Sequence, residues 1–193
     1  PYSRLCAVLA NLAPNHLDVH RDRAGYMASQ ENIYRHQGAR DTAIFNADNA
    51  ITRELSGKAA GSVRMFSRKE EPAEGVFLRG DAVISRRDGA ERQIMTTADI
   101  RLPGVHNVEN YLAAIAAVDG LVPDEVIRDF AREFGGVEHR IELIRTRNGV
   151  RWYNDSIASS PSRTIAGLHP FKEEVIRIAG GKAKGISYEN LGP

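Results

Sequence analysis

The stretch 135–161, GGVEHRIELIRTRNGVRWYNDSIASSP, constrains the fold most, because it carries a stop, a turn, a strand and a restart in that order. The pair Gly135-Gly136 ends a helix, since glycine tolerates the left-handed backbone found there. His139-Arg140 follows on a short extended run. Arg147-Asn148-Gly149 reads as a polar turn into Val150-Arg151-Trp152-Tyr153, a strand by its β-branched and aromatic content. That strand ends in Asn154-Asp155-Ser156, small polar groups with nothing to bury, and Pro161 starts a helix over 162–168. Ligands of open α/β sheets sit beyond the carboxyl ends of strands, so chemistry is expected here. The stretch predicts a junction between two domains with part of a site attached.

Other segments show the same alternation of apolar run and polar end. Residues 5–12 read as a buried parallel strand leading to Asn15-His16-Leu17-Asp18-Val19-His20. Two histidines and an aspartate after a strand suit a divalent ion or phosphates. They also suit an ordinary helix-capping turn, the commoner outcome for such a spacing. A helix is predicted over 24–36, a second strand over 41–48 ending in Asn46-Ala47-Asp48-Asn49, and a turn of helix over 51–56. From Gly61 to Ile100 short β segments alternate, and Asp88-Gly89 is a strong hairpin signal. This predicts a small, mostly antiparallel sheet beside the main one.

Asn107 and Asn110 precede a helix over 111–118 and, three residues apart, share a face on its first turn. Their carboxamides suit the edge of a purine, though helix capping uses the same residue type. An amphipathic helix over 123–134 carries Val126, Ile127, Phe130 and Phe134 as its apolar stripe. Residues 174–179 read as a parallel strand ending in Gly180-Gly181-Lys182-Ala183-Lys184-Gly185. Its glycines permit close backbone approach, and a lysine there pairs with a carboxylate or phosphate. No G-x-x-x-x-G-K-[ST] phosphate loop occurs in the chain.

The formal net charge of +1 argues against a dominant nucleic-acid or anionic-membrane surface. The single cysteine, Cys6, excludes an intrachain disulfide framework. No run approaches the roughly 20 apolar residues of a membrane helix. The expectation is a soluble, cytoplasmic α/β protein, and neither end reads as that of a finished domain.

Taken together and in order, these motifs resemble the Mur ligase superfamily of ATP-dependent amide-forming enzymes. The likeness runs from Asn15-His16-Leu17-Asp18 to Gly180-Gly181-Lys182-Ala183-Lys184. His106-Asn107-x-x-Asn110 is similar across the superfamily, whereas Glu138-His139-Arg140 with Asn154-Asp155-Ser156 resembles its D-glutamate-adding branch in peptidoglycan synthesis. The resemblance implies a three-domain parent. Residues 1–136 would be the later part of a P-loop-type central ATP-binding domain, and 137–193 the start of a Rossmann-like C-terminal ligase domain. The UDP-binding domain, the phosphate loop and the end of the C-terminal domain would lie outside the chain, leaving it inactive by itself.

The implied reaction joins D-glutamate to UDP-N-acetylmuramoyl-L-alanine through an acyl phosphate, using ATP and Mg2+, in a full-length protein that is a monomer. By the same resemblance, His16 sits at a metal site and contributes to catalysis. Asn107 and Asn110 lie near adenine, and Arg140 and Asp155 contact the nucleotide. Ser159 and Lys184 bind D-glutamate, Lys184 also acting in catalysis. Two positions depart from the pattern: Gln30 stands where many members carry a carbamylated lysine, and Ile157 where many have lysine after Asn-Asp-Ser. A glutamine adds no charge to a magnesium site, and an isoleucine makes no phosphate contact. The alternatives are a sister ligase, either another cell-wall enzyme or a folylpolyglutamate synthase, and a non-catalytic nucleotide-binding homologue.

Overall fold

Side-chain alternation organises the first part of the chain. In β2 (Thr42–Asn46), Ile44 joins one buried cluster while Ala43 and Phe45 join another, because successive residues of a strand face opposite ways. β1 (Cys6–Leu9) and β3 (Ser62–Ser67) flank β2 in parallel. The face of Ile44 also gathers Phe66 and Ile94, and it is covered by Leu112 and Ile115 of α3 (Val105–Val118) and Ile127 of α4 (Asp124–Glu133). Leu9, Phe45 and Tyr34 pack on the opposite face with Leu55 of α2 (Ala50–Ser56). Coverage on both faces is why these strands read as near-continuous apolar runs. Burial pushes the Tyr34 hydroxyl up to about 12, and it donates to the Leu55 carbonyl at 3.3 Å.

A computed structural model describes residues 5–12, 23–181 and 188–191 of the protein. The chain falls into two units, Pro1–Arg101 with Val105–Glu133, and Leu102–Gly104 with Phe134–Pro193. The class is mixed α/β, as expected.

The strands after β3 differ from expectation. β4 (Gly75–Arg79), β5 (Ala82–Arg87) and β6 (Ala90–Thr96) extend the main sheet rather than forming one of their own, giving the order β1-β2-β3-β4-β5-β6. The link is a short parallel ladder between residues 65–67 and 75–77, after which β4–β5 and β5–β6 run antiparallel. Gly75 permits the link: its φ is 137°, and a Cβ there would lie 1.7 Å from the Met65 carbonyl oxygen. Asp88 and Gly89 turn β5 into β6 with φ of 51° and 75°, the positive pair a type I′ turn requires.

A buried ionic cluster fastens the end of α3 to this sheet. The Asp119 side chain has no exposed surface and pairs with Arg64 of β3. It also accepts from Ser85 Oγ at 2.9 Å and Arg92 Nη2 at 2.6 Å. Burial pushes its carboxyl up, but the hydrogen bonds from Arg64, Ser85 and Arg92 outweigh that and hold it below the usual range.

The helix α1 (Arg23–Glu31) ends earlier than predicted and gives way to turns. On α4 the seam is narrower than the predicted stripe: Ile127 and Ala131 are buried, whereas Val126 and Phe130 are more than half exposed. One i, i+4 pair suffices for a helix that touches the sheet along a single line.

In the second unit β7 (Glu142–Arg147) and β8 (Val150–Asn154) form an antiparallel hairpin, closed at Asn148-Gly149 by the same positive-φ device. α5 (Pro161–Leu168) starts at proline, as predicted. Residues 174–179, predicted as a strand, form none. Among the described residues no neighbouring strand pairs with them, and without a ladder an apolar extended run stays irregular, leaving Ile176 95% exposed.

Candidate functional site

In the first unit the carboxyl ends of the parallel strands meet in a polar network. Asn46 closes β2 and is almost fully buried. Its Nδ2 donates to Asn11 Oδ1 at 2.9 Å and its Oδ1 accepts the Asp48 amide at 2.8 Å, which fixes the carboxamide's orientation. Asn49 caps α2 by accepting the Ile51 and Thr52 amides, and its Nδ2 donates to the Leu12 carbonyl at 3.0 Å. These two asparagines therefore tie down the chain as it leaves β1, immediately before the segment that carries His16. His16 itself, with the rest of residues 13–22, lies outside the described residues.

Asp48 does the corresponding work for β3. Its carboxylate accepts Ser67 Oγ at 2.6 Å and the Arg68 amide at 2.7 Å. Arg68 in turn reaches α3, where its Nε donates to Glu109 Oε1 at 3.2 Å. Glu109 stands between the two predicted asparagines. Asn107 is half-buried and Asn110 exposed. At 100° per residue, both stand at least about 140° around α3 from the fully buried Leu112. Neither is an N-cap: α3 begins at Val105 and Gly104 precedes it. About 60° apart on the helix, the pair forms a polar face able to donate and accept.

In the second unit Arg140, Asp155 and Ser159 lie on two joined loops. His139 and Arg140 form a turn rather than the predicted extended run, with His139 at φ 67° and Ile141 at φ 48°. Cross-bonds to the end of β8 hold this unusual backbone. Asp155 Oδ1 accepts the Ile141 amide at 3.2 Å, and the His139 carbonyl accepts the Ile157 amide at 3.3 Å. Asn154 Oδ1 accepts the Ser156 amide, so its Nδ2 is the donor facing His139 Nδ1 at 2.8 Å. The Asp155 carboxylate also abuts α5: a Cβ on Gly167 would lie 3.1 Å from Oδ2. Arg140 is exposed, and its amide donates to the Val137 carbonyl at 3.2 Å. A guanidinium and an anchored carboxylate on these joined loops suit phosphate and hydroxyl groups respectively. Ser159 is exposed in the following turn, and Lys184 lies outside the described residues.

The order of motifs and the carboxyl-end network invite comparison with known proteins. The sequence profile of the Mur ligase middle domain matches residues 4–118. The chain belongs to the Mur ligase family. Among curated relatives, it is 54% identical over 97% of its length to UDP-N-acetylmuramoylalanine–D-glutamate ligase of Acetivibrio thermocellus, and 42% identical over 97% to the enzyme of that name from Symbiobacterium thermophilum. It spans 40% of the length of the first and 42% of the second. Among solved structures, UDP-N-acetylmuramoylalanyl-D-glutamyl-2,6-diaminopimelate–D-alanyl-D-alanyl ligase from Acinetobacter baumannii superposes with a TM-score of 0.64 at 22% identity, covering 86% of this chain and 36% of that one. UDP-N-acetylmuramate-alanine ligase of Thermotoga maritima gives 0.63 at 21%, covering 88% and 38%. At such identities the likeness is one of fold.

Sequence reasoning on this Mur ligase chain picked out Asn107, Asn110, Arg140, Asp155 and Ser159, but missed the residues that hold the network. Asp48 and Glu109 were legible as polar positions inside Asn-Ala-Asp-Asn and His-Asn-x-Glu-Asn. Arg68 gave no signal, since one more arginine after a strand looks like any other.

Proposed function

We propose that this chain is the nucleotide-handling segment of an ATP-dependent, ADP-forming ligase that adds D-glutamate to UDP-N-acetylmuramoyl-L-alanine in cytoplasmic peptidoglycan synthesis. The observation that carries the reading is 54% identity across nearly the whole chain to an enzyme of that name. Residues 1–136 belong, on this reading, to the central ATP-binding domain and 137–193 to the C-terminal ligase domain. The full-length protein acts as a monomer.

The reaction has two displacements. The substrate carboxylate attacks the γ-phosphorus of ATP and ADP departs; the D-glutamate amine then attacks the acyl carbon and phosphate departs. Little covalent work falls to the protein, so positioning and charge neutralisation dominate. Asn107 and Asn110 take the adenine edge, Asp155 accepts ribose hydroxyls, and Arg140 meets phosphate. Ser159 and Lys184 hold the D-glutamate carboxylates, the ammonium also offsetting charge that develops at the reacting centre. Mg2+ would offset phosphate charge near His16. Among the described residues no three of His, Cys, Asp and Glu converge as a metal site, so no step is assigned to the ion.

The test incubates the full-length protein carrying this segment with ATP, magnesium, UDP-N-acetylmuramoyl-L-alanine and a panel of amino acids. D-glutamate-dependent phosphate release and a product of matching mass are expected. Product with a different amino acid would move the assignment to a sister ligase. Nucleotide binding without product would favour the non-catalytic homologue, the reading for which Gln30 on α1 and the half-exposed Ile157 speak.

A further inference from the structure

Strand β3 presents Arg64, Phe66 and, just beyond its end, Arg68 along one face, since alternate residues point the same way. Phe66 is buried in the cluster that α3 covers. The two arginines flanking it each hold one end of α3: Arg64 pairs with Asp119 past the helix C-terminus, and Arg68 with Glu109 in its first turns. The spacings match. Four residues of strand from Arg64 to Arg68 span about 13 Å. Ten residues of helix from Glu109 to Asp119 span about 15 Å. The helix is therefore stapled antiparallel along the strand at two points.

The staples differ in kind. The one at Asp119 is buried and reinforced by Ser85 and Arg92, and Arg64 also donates to the Ala116 carbonyl. The one at Glu109 is a single pair, with side chains 32% and 23% exposed, at the end of the helix that carries the asparagines. Gly104 precedes that end and has no side chain to cap it. At about 100° per residue, Glu109 stands about 160° around the helix from Asn107 and about 100° from Asn110. Drawing Glu109 toward the sheet turns both carboxamides away from it.

We propose that Arg68 and Glu109 are positioning residues for base recognition: their ion pair sets the rotation of the first turns of α3 and so aims Asn107 and Asn110. The proposal rests on the reading that those asparagines meet adenine. It deepens that reading by assigning specificity to two residues that act through the asparagines.

The experiment uses the full-length ligase with Arg68→Gln, Glu109→Gln, the reciprocal pair Arg68→Glu/Glu109→Arg, and Arg68→Lys as the conservative variant. Each is measured for kcat, KM for ATP, preference for ATP over GTP, and melting temperature. Each single loss raises KM for ATP about threefold and cuts base preference by a similar factor, while kcat is unchanged. The reciprocal pair and Arg68→Lys recover most of both, and melting temperatures barely move because the pair is partly solvated. Unchanged KM and preference in the single variants, or no recovery in the reciprocal pair, overturns the proposal. Asn107→Ala is run beside them. Lost preference there with none in Arg68→Gln overturns the positioning role alone. Unchanged preference in Asn107→Ala overturns the adenine reading and the proposal with it.

Discussion

In the first unit β1 to β3 are covered on both faces and β4 to β6 on the face of α3 and α4, whereas the hairpin of the second leaves Leu143, Ile144, Val150 and Trp152 more than half exposed. Both use the same turn chemistry, a residue of positive φ followed by glycine, at Asp88-Gly89 and at Asn148-Gly149. Turn and strand propensity are thus equally good in both. What differs is burial: Val76 on β4, in the cluster that α3 covers, has no exposed surface, and Trp152 on β8 is 51% exposed. Local sequence makes a hairpin; packing against a second layer makes it carry stability.

Three substitutions sharpen that contrast. The largest effect is expected for Gly75→Ala, which places a Cβ 1.7 Å from a backbone oxygen at φ 137°. Such an overlap breaks the β3–β4 ladder and costs upward of about 4 kcal/mol, seen as loss of cooperative thermal unfolding of the 193-residue chain.

Next is Asp119→Ala, which strands Arg64 and Arg92 without their shared carboxylate and costs about 3–5 kcal/mol in denaturant titration. Because the folded Asp119 carboxyl is held below its unfolded value of about 3.9, its contribution is present in full above that pH. It is lost as pH falls through the folded value. The stability gap between wild type and Asp119→Ala should narrow below about pH 4.

The smallest effect is expected for Trp152→Ala, within about 0.5 kcal/mol, since little area returns to water. A loss of about 2 kcal/mol there would mean that the hairpin face is packed after all and would erase the distinction between the units.

Much of this was legible in the residues. The apolar runs over 5–12 and 41–48 gave β1 and β2, the Asp88-Gly89 pair gave its hairpin, and Pro161 marked the start of α5. The two errors in the strands share one cause: pattern reports which residues want a partner, not whether or where the partner exists. Residues 174–179 have the composition of a strand and, among the described residues, no neighbour to pair with. The segments after Gly61 alternate as an independent sheet would, yet Gly75 joins them to the main one through a contact that only backbone geometry reveals. At the site, asparagines on one helical face were readable from spacing. The arginine and glutamate that aim them were not, because their meeting joins Arg68 to Glu109 across 41 residues of sequence.

The strand order has a kinetic consequence. Among the described residues, strands consecutive in the chain are neighbours throughout the six-stranded sheet, and no strand is inserted between two earlier ones. The antiparallel β4–β5 and β5–β6 pairings are local hairpins, whereas the parallel β1–β2 and β2–β3 pairings close much longer stretches of chain and form more slowly. During synthesis the β4–β6 hairpins can therefore form as soon as they emerge, with α3 arriving afterwards to cover the face that they present.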